Sequence, residues 1–462
     1  MSFIIIMSAK TNHIWHICAV KERIFCTIFS TLCKKLFFLC FIVLMLCTEA
    51  CSTAEKQIRR AEAAWAIGEY EVAATYYKRA YSRTPATEKN ERGRLSFLMG
   101  ECYRHYGYSA RALGAYKAAE RYRYTDTTTF LRKGQMMLLQ GDYRQAADAF
   151  EKYLTLLDTS QTVNADKNVA SLRSMAENGL RSCKEGPMLK AAASLYTVKA
   201  APLFNSNRSD YCPMLLGTLE DKDAQLFITS TRNTATGNEI SGITGQKNAD
   251  IFVAKKDEKG KWKPVESIEN GPNSDLDEGA PCFSADGKTM YFTACPVDPD
   301  YPRMAEIRTT SRNDASWGKA ETLKITSDTL SSYAHPAITP DGNWLYFTSD
   351  MPGGYGGKDL WRAALAGGKV RYVENLGPDI NTCGDECFPA FRPTGELYFA
   401  SDGRGGMGGL DLYRATEDSV THTWEVHHLP APMNSFADDF GITFDGLHNR
   451  GFFSSSRATK GR

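Results

Sequence analysis

Glu386-Cys387-Phe388-Pro389, followed after a short turn by Leu397-Tyr398-Phe399-Ala400-Ser401, decides the fold because it recurs. An acidic residue, two spacers, a proline or its equivalent and then an aromatic strand ending in Ser or Thr appear five times in the second half of the chain. The other copies are Asp210-Tyr211-Cys212-Pro213 with Leu226-Phe227-Ile228-Thr229-Ser230, Glu278-Gly279-Ala280-Pro281 with Tyr291-Phe292-Thr293, Tyr333-Ala334-His335-Pro336 with Tyr346-Phe347-Thr348-Ser349, and Asp438-Asp439-Phe440-Gly441 with Phe452-Phe453-Ser454-Ser455. Successive copies stand 68, 55, 53 and 52 residues apart. That spacing suits one four-stranded sheet per repeat and predicts a β-propeller, in which no blade buries its apolar face without its neighbours.

Third strands follow at Ala249–Val253, Ala305–Arg308, Lys358–Arg362 and Leu410–Arg414, and fourth strands after Trp262, Trp317 and Trp424 and at Lys369–Val373. Their alternation of apolar and polar side chains suits sheets stacked face to face. A smaller signature, Asn205-Ser206, Asn273-Ser274, Asn381-Thr382 and Asn434-Ser435, precedes the acidic residue in four copies. Residues 196–204 are expected to form an outer strand that clasps the last blade. Blade five has two strands and then reaches Arg462, so an incomplete blade and a truncated product or fragment are expected.

From Ala54 to about Lys184 small and aromatic residues fall at helical intervals. Gly68-Glu69-Tyr70 with Ala73, Tyr77 and Ala80 reappears as Gly107-Tyr108-Ser109 with Ala112, Tyr116 and Ala119, and as Gly141-Asp142-Tyr143 with Ala146, Phe150 and Tyr153. These units resemble tetratricopeptide repeats, with Gly at the turn, Ala at the close approach and an aromatic in the next groove. Residues 168–184 are expected to cap the stack, and Gly186-Pro187 to end it. The concave face should present Glu62, Trp65, Glu101, Arg104, His105 and Gln135 to a partner.

The fold class is therefore multidomain α + β. An α-solenoid of helical repeats over 51–185 precedes an all-β, WD40/PD40-like propeller over 186–462. Residues 1–50 read as a signal peptide with an extended N-terminus: Lys34-Lys35 leads into twelve unbroken apolar residues, Leu36–Cys47, too few to span a bilayer comfortably. Ala50 before Cys51 looks like a lipoprotein processing site, so Cys51 is the candidate lipid attachment point. Past residue 50 the chain holds 50 basic and 52 acidic residues, and such a near-neutral body has no charge surplus to hold nucleic acid. Seven cysteines remain beyond Cys51, an odd number with irregular spacing that is no disulfide framework. Cys383 and Cys387 are expected either as thiols or as a local disulfide.

No zinc-peptidase, nucleophile-elbow or phosphate-loop motif occurs, so no catalytic residue, metal ligand or cofactor is assigned. Gly403-Arg404-Gly405-Gly406-Met407-Gly408 matches a dinucleotide-binding pattern but joins two strands, which makes it a hairpin loop. One constellation remains. Asp210, Glu278, Glu386 and Asp438 recur where the chain enters each innermost strand, and five-fold geometry would ring the channel mouth with carboxylates, Tyr333 interrupting the ring. Such a ring would attract a cation or basic segment; alternatively each acid bonds nearby backbone amides and holds its turn.

The order of parts resembles the PorE-type outer-membrane lipoproteins of Bacteroidota, on the lipoprotein signal, the three helical repeats and the Tyr-Phe-Thr-Ser-Asp and Gly-Gly-x-Asp-Leu-Tyr phrases, across roughly residues 36–462. The propeller phrases also resemble those of TolB. The resemblance implies a non-catalytic periplasmic scaffold, lipid-anchored in the outer membrane, whose partners are protein subunits of a type IX secretion complex. It implies peptidoglycan binding only through an OmpA-like domain that would follow this sequence. Alternatives are a peptide-, glycan- or cation-binding propeller, or the propeller half of a hydrolase whose catalytic domain lies elsewhere.

Overall fold

The computed structural model describes residues 53–159, 167–268, 271–297, 302, 304–313 and 316–457. Cys51 and the signal segment lie outside the described residues. Seven helices come first: α1 (53–66), α2 (Tyr70–Arg83), α3 (Lys89–His105), α4 (Ser109–Arg121), α5 (Thr128–Leu138), α6 (Tyr143–Thr159) and α7 (Lys167–Ala191). Each packs on the next in the α2–α5 run, α5 also packs on α6, and α7 lies against α5 and α6. Gly68, Gly107 and Gly141 turn one helix into its partner with φ of +78°, +81° and +71°, a conformation that costs glycine no Cβ clash.

Large rings lock the pairs. Tyr116 lies over Gly100, and Phe150 is held between Gly134 and Gly179, where a Cβ at Gly179 would stand 2.5 Å from the ring. Burying each such ring stabilises the stack by about 1.5–3 kcal/mol. These are helical repeats in arrangement. The expected break at Gly186-Pro187 does not occur, since α7 continues to Ala191 with Pro187 inside it. Gly186 is needed within the helix, because a Cβ there would lie 2.6 Å from the Tyr143 ring.

The second half forms a β-propeller-like ring of five antiparallel blades. Blade one holds β1 (Asp210–Leu216), β2 (Gln225–Ser230), β3 (Asp250–Lys255) and β4 (Glu266–Ser267). Blade two holds β5 (Asp277–Phe283), β6 (Thr289–Cys295) and β7 (Glu306–Asn313), with β8 (Ser316–Trp317) and β9 (Glu321–Thr322) both on β7. Blade three is β10 (Tyr333–Ile338), β11 (Trp344–Ser349), β12 (Asp359–Ala366) and β13 (Lys369–Asn375). Blade four is β14 (Glu386–Phe391), β15 (Leu397–Ser401), β16 (Asp411–Glu417) and β17 (Trp424–His428). Among the described residues blade five is β18 (Asp439–Phe444) with β19 (Gly451–Ser455).

The innermost strands close a ring: β1 packs on β5, β5 on β10, β10 on β14, β14 on β18, and β18 with β19 back on β1. Every innermost strand carries a bulge whose third residue has left-handed backbone: Cys212, Ala280, His335, Phe388 and Gly441, φ between +48° and +57°. The freed amide finds a hydroxyl on the neighbouring blade. Ala280 N donates to Thr229 Oγ1, His335 N to Thr293 Oγ1 and Cys212 N to Ser454 Oγ, each at 2.8 Å. A hydroxyl near the end of the aromatic strand thus joins blades at three of the five joints, the Ser454 bond closing the circle, while Thr348 donates instead to Glu386 O at 3.3 Å and blade four has Ala400 in this place.

Residues 196–204 do not form the expected clasp strand. They cross blade five as irregular chain, Val198 packing beside Leu412 and Ile442, and Phe204 standing 5.8 Å from Phe452 and 5.7 Å from Trp262. Apolar packing there replaces ladder hydrogen bonds. No helix among the described residues is long and apolar enough to cross a membrane.

The stack rests on the propeller at its two ends. Glu71 N donates to Gly242 O at 3.0 Å, joining the start of α2 to blade one. Far along the stack Tyr143 Oη donates to Met407 O at 2.8 Å and Asn178 Nδ2 to Gly403 O at 2.5 Å, joining α6 and α7 to blade four. The middle turn, at Gly107, has no neighbour within 4 Å of where a Cβ would stand. The helices therefore bridge blade one and blade four, as an arch does.

Candidate functional site

The carboxylates that begin the blades are structural. Asp210 accepts Ser206 N at 2.5 Å, Glu386 accepts Thr382 N at 2.9 Å, Glu278 accepts Ser274 N at 3.1 Å, and Asp439 accepts Ser435 N at 2.7 Å. The hydroxyl of the same Ser or Thr bonds each carboxylate too. The equivalent residue in blade five is Asp439, not Asp438. In blade three the Tyr333 hydroxyl takes the role, 2.7 Å from Thr326 Oγ1 and donating to Asp328 O at 3.2 Å.

Neighbouring asparagines staple the preceding blade. Asn273, Asn381 and Asn434 accept from and donate to the backbone of Ile251, Leu360 and Leu412. Burial pushes Glu278 and Glu386 up to about 7 despite their hydroxyl partners. Burial would also raise Asp210, but Ser230, Ser206 and Arg232 outweigh it and hold it low.

Asp438 belongs to a second set that joins blades: it accepts Leu410 N at 3.1 Å, as Asp385 accepts Lys358 N at 2.9 Å and Asp277 accepts Ala249 N at 2.7 Å. Beside this set lies Asp402, an exposed residue that accepts Asp385 N at 2.7 Å. The enclosing protein, then Asp385, push Asp402 up to about 7.

The helical stack carries a polar and aromatic cluster of its own. Trp65, Tyr70 and His105 form one aromatic cluster, Tyr70 stacked on His105 at 4.3 Å and Trp65 edge-on to both at 5.0 and 5.2 Å. Beside it Glu101 accepts Arg104 at 2.9 Å and Tyr116 Oη at 2.5 Å, stands 3.6 Å from Arg132, and Arg132 donates to Gln135 at 3.0 Å. Glu62 is exposed and makes none of these contacts.

Burial would raise Glu101, but Arg104 and Arg132 hold it low. Burial and then Arg104 push Arg132 down, the signature of two guanidiniums sharing one carboxylate. Burial with Arg104 lowers His105 to about 4, so the ring is neutral near pH 7. Asp402 is within electrostatic reach of Arg132, and Lys358 of His105. Lys358 stands 4.0 Å from Asp385.

Asp402 was not among the residues singled out from the sequence. Asp402 follows a strand-ending Ser just as Asp350 does, and that Ser-Asp pair was the available signal. The glycine run 403–409 has a role the hairpin reading omitted: it seats helices. A Cβ at Gly405 would lie 2.7 Å from Arg181, and one at Gly409 2.5 Å from Leu139. Cys383 and Cys387 are free thiols, and Cys383 accepts Asn178 Nδ2 at 3.6 Å.

Below the mouth the channel is lined by the bulges, with His335 stacked 3.7 Å from Phe388. At the other end of the strands Glu220, Asp445 and His448 come within 4.8 Å of one another. Arg450 already pairs with both carboxylates there, so a cation occupies the position a metal would need.

No known family's sequence profile matches the chain, and no curated protein matches it. Solved structures similar to it include a puromycin-hydrolysing peptidase of Mycobacterium tuberculosis, 17% identical over 50% of this chain and 33% of that one, TM-score 0.30. Others are an α-L-arabinofuranosidase from Lactobacillus brevis (13%, 46% and 74%, 0.30) and prolyl endopeptidases (14%, 63% and 44%, 0.27). The chain spans about a third of the length of the first of these. Likeness at this level says nothing of activity, and the propeller assignment rests on the strands themselves.

Proposed function

We propose that this chain is a non-catalytic docking component of an outer-membrane assembly of the type IX secretion kind, anchored by lipid at Cys51 with its body in the periplasm. The observation that carries the reading is the arch. Two repeat architectures, each suited to partner recognition, are keyed together at both ends, so that partners docked on them hold a fixed relation. The partners are protein subunits of that assembly. The carboxylates that begin the blades are committed to turns, which suits a scaffold.

The test is fractionation with affinity capture. The tagged chain should enter the outer-membrane fraction with defined subunits in fixed ratio, and Cys51→Ala should release it. Recovery of the Cys51→Ala protein in the membrane, or of wild type without fixed partners, would overturn the reading. The propeller fold also suits a second reading, the propeller half of a hydrolase. Turnover of an aminoacyl amide by the full-length protein would favour that one.

A further inference from the structure

We propose that the face shared by α1 and α2 lies on an anionic lipid surface, where Lys56, Arg60, Arg79 and Arg83 take the phosphates of phospholipid headgroups. The lipid anchor at Cys51 brings this face to the membrane, so its placement rests on the proposed function, whereas its charge can be tested without the anchor.

Lys56 and Arg60 stand four residues apart on α1, and Tyr76, Arg79 and Arg83 follow one another at three and four residues on α2, so each set forms one stripe of its helix. The Tyr76 ring joins the two stripes. The Arg60 guanidinium lies 5.8 Å from the ring centroid and that of Arg79 lies 5.3 Å from it. All four cations are exposed. Arg59 does not count toward the patch, because Glu55 and Glu62 stand four and three residues from it on the neighbouring stripe.

Other arginines of the helical stack are paired, Arg94 with Glu91, Arg104 with Glu101 and Arg173 with Asp158. Among the described residues none of the four cations of this face is bonded to a carboxylate. Like charges gathered round one ring, with no acid among them, favour an anionic partner. A guanidinium that lies on a tyrosine face keeps its N–H edge free, and that edge matches the oxygens of a phosphate.

Position supplies the second reason. Helix α1 begins at residue 53, two residues past Cys51. At ~1.5 Å per residue Arg60 stands about 10 Å along the helix from that start, near one Debye length, so the patch feels a membrane held at Cys51 even with the helix upright. A basic patch beside an acyl anchor is the second signal that makes membrane attachment firm.

The experiment is co-sedimentation of the full-length Cys51→Ala chain with vesicles of phosphatidylcholine alone and of phosphatidylcholine mixed with phosphatidylglycerol, so that apolar insertion contributes equally to both. The mixed vesicles should bind more protein, and high salt should remove the difference. Arg60→Gln with Arg79→Gln should cut the preference about tenfold or more. Arg60→Lys with Arg79→Lys keeps both charges and should retain most of it, and each variant's melting curve is checked against the parent. A parent with no preference for the mixed vesicles, a Gln pair as selective as the parent, or a Lys pair as weak as the Gln pair would overturn the proposal. Cell fractionation of Cys51→Ala tests the anchor separately, since the vesicle preference does not depend on it.

Discussion

Thr293 shows how one hydroxyl serves the whole ring. A bulge in β10 points the His335 amide out of its own ladder, and the Thr293 hydroxyl of the preceding blade accepts it at 2.8 Å. Thr293→Val keeps the shape and removes the acceptor, which leaves a buried N–H without a partner. We expect a loss of about 1–3 kcal/mol, read by urea unfolding, with Thr293→Ser close to wild type. Equal stability of the Val and Ser variants would mean that packing alone joins these blades. Ala400 fills the corresponding place in blade four and Thr348 in blade three donates instead to Glu386 O, so the ring tolerates two joints without this bond. The four non-glycine bulge residues hold left-handed backbone, a cost that the cross-blade bonds help to offset.

At the scale of elements, α7 shows what packing asks of a helix. Its Gly179 face meets Phe150, and a methyl there would stand 2.5 Å from ring carbons that Gly134 confines from the other side. Gly179→Ala should therefore destabilise by roughly 1–3 kcal/mol through overpacking. Gly114→Ala, mid-helix in α4 where a Cβ meets nothing within 4 Å, should stabilise by about 0.5–1 kcal/mol. Matching signs for the two in thermal unfolding would show that helix propensity, not the Phe150 contact, governs these sites. The pattern of strands was legible because aromatic phrases recur at blade spacing, and the helical pairs because Gly, Ala and Tyr recur at fixed offsets. What the sequence could not convey was contact between distant parts. Gly186-Pro187 reads as a helix end until Tyr143 is seen to need the glycine inside the helix. Asp438 and Asp439 are indistinguishable in a string, and only the register Asp439↔Ser455 assigns the turn to the second. Trp65, Glu101, Arg104, His105 and Gln135 were readable as one face by periodicity, whereas the bond of Asp402 to the Asp385 amide joins residues that no local pattern pairs.

At the scale of the whole molecule the buried turn acids make the ring sensitive to pH. Glu278 and Glu386 are almost wholly buried, and burial raises both from 4.5 to about 7. A raised acid holds a proton in the folded state that the unfolded chain has lost. Its contribution is full below about 4.5 and is lost as pH rises through about 7. His335 acts in the opposite sense, since burial lowers it from 6.5 to about 3, so its contribution grows as pH rises toward and just past 6.5. Between about pH 6.5 and 8.5 each acid removes roughly 0.8 kcal/mol and His335 returns roughly 0.4 kcal/mol, a net loss of about 1 kcal/mol. Glu386→Gln keeps the turn's shape and should remove one acid's share, leaving a clearly shallower profile in the same window. Urea unfolding at several pH values reads both. A wild-type stability that climbs steadily to pH 8.5, or a variant as steep as wild type, would mean that the hydroxyls of Thr382 and Ser401 hold the Glu386 carboxylate ionised at neutral pH. The blade joint would then be a charged cap and not a titrating one.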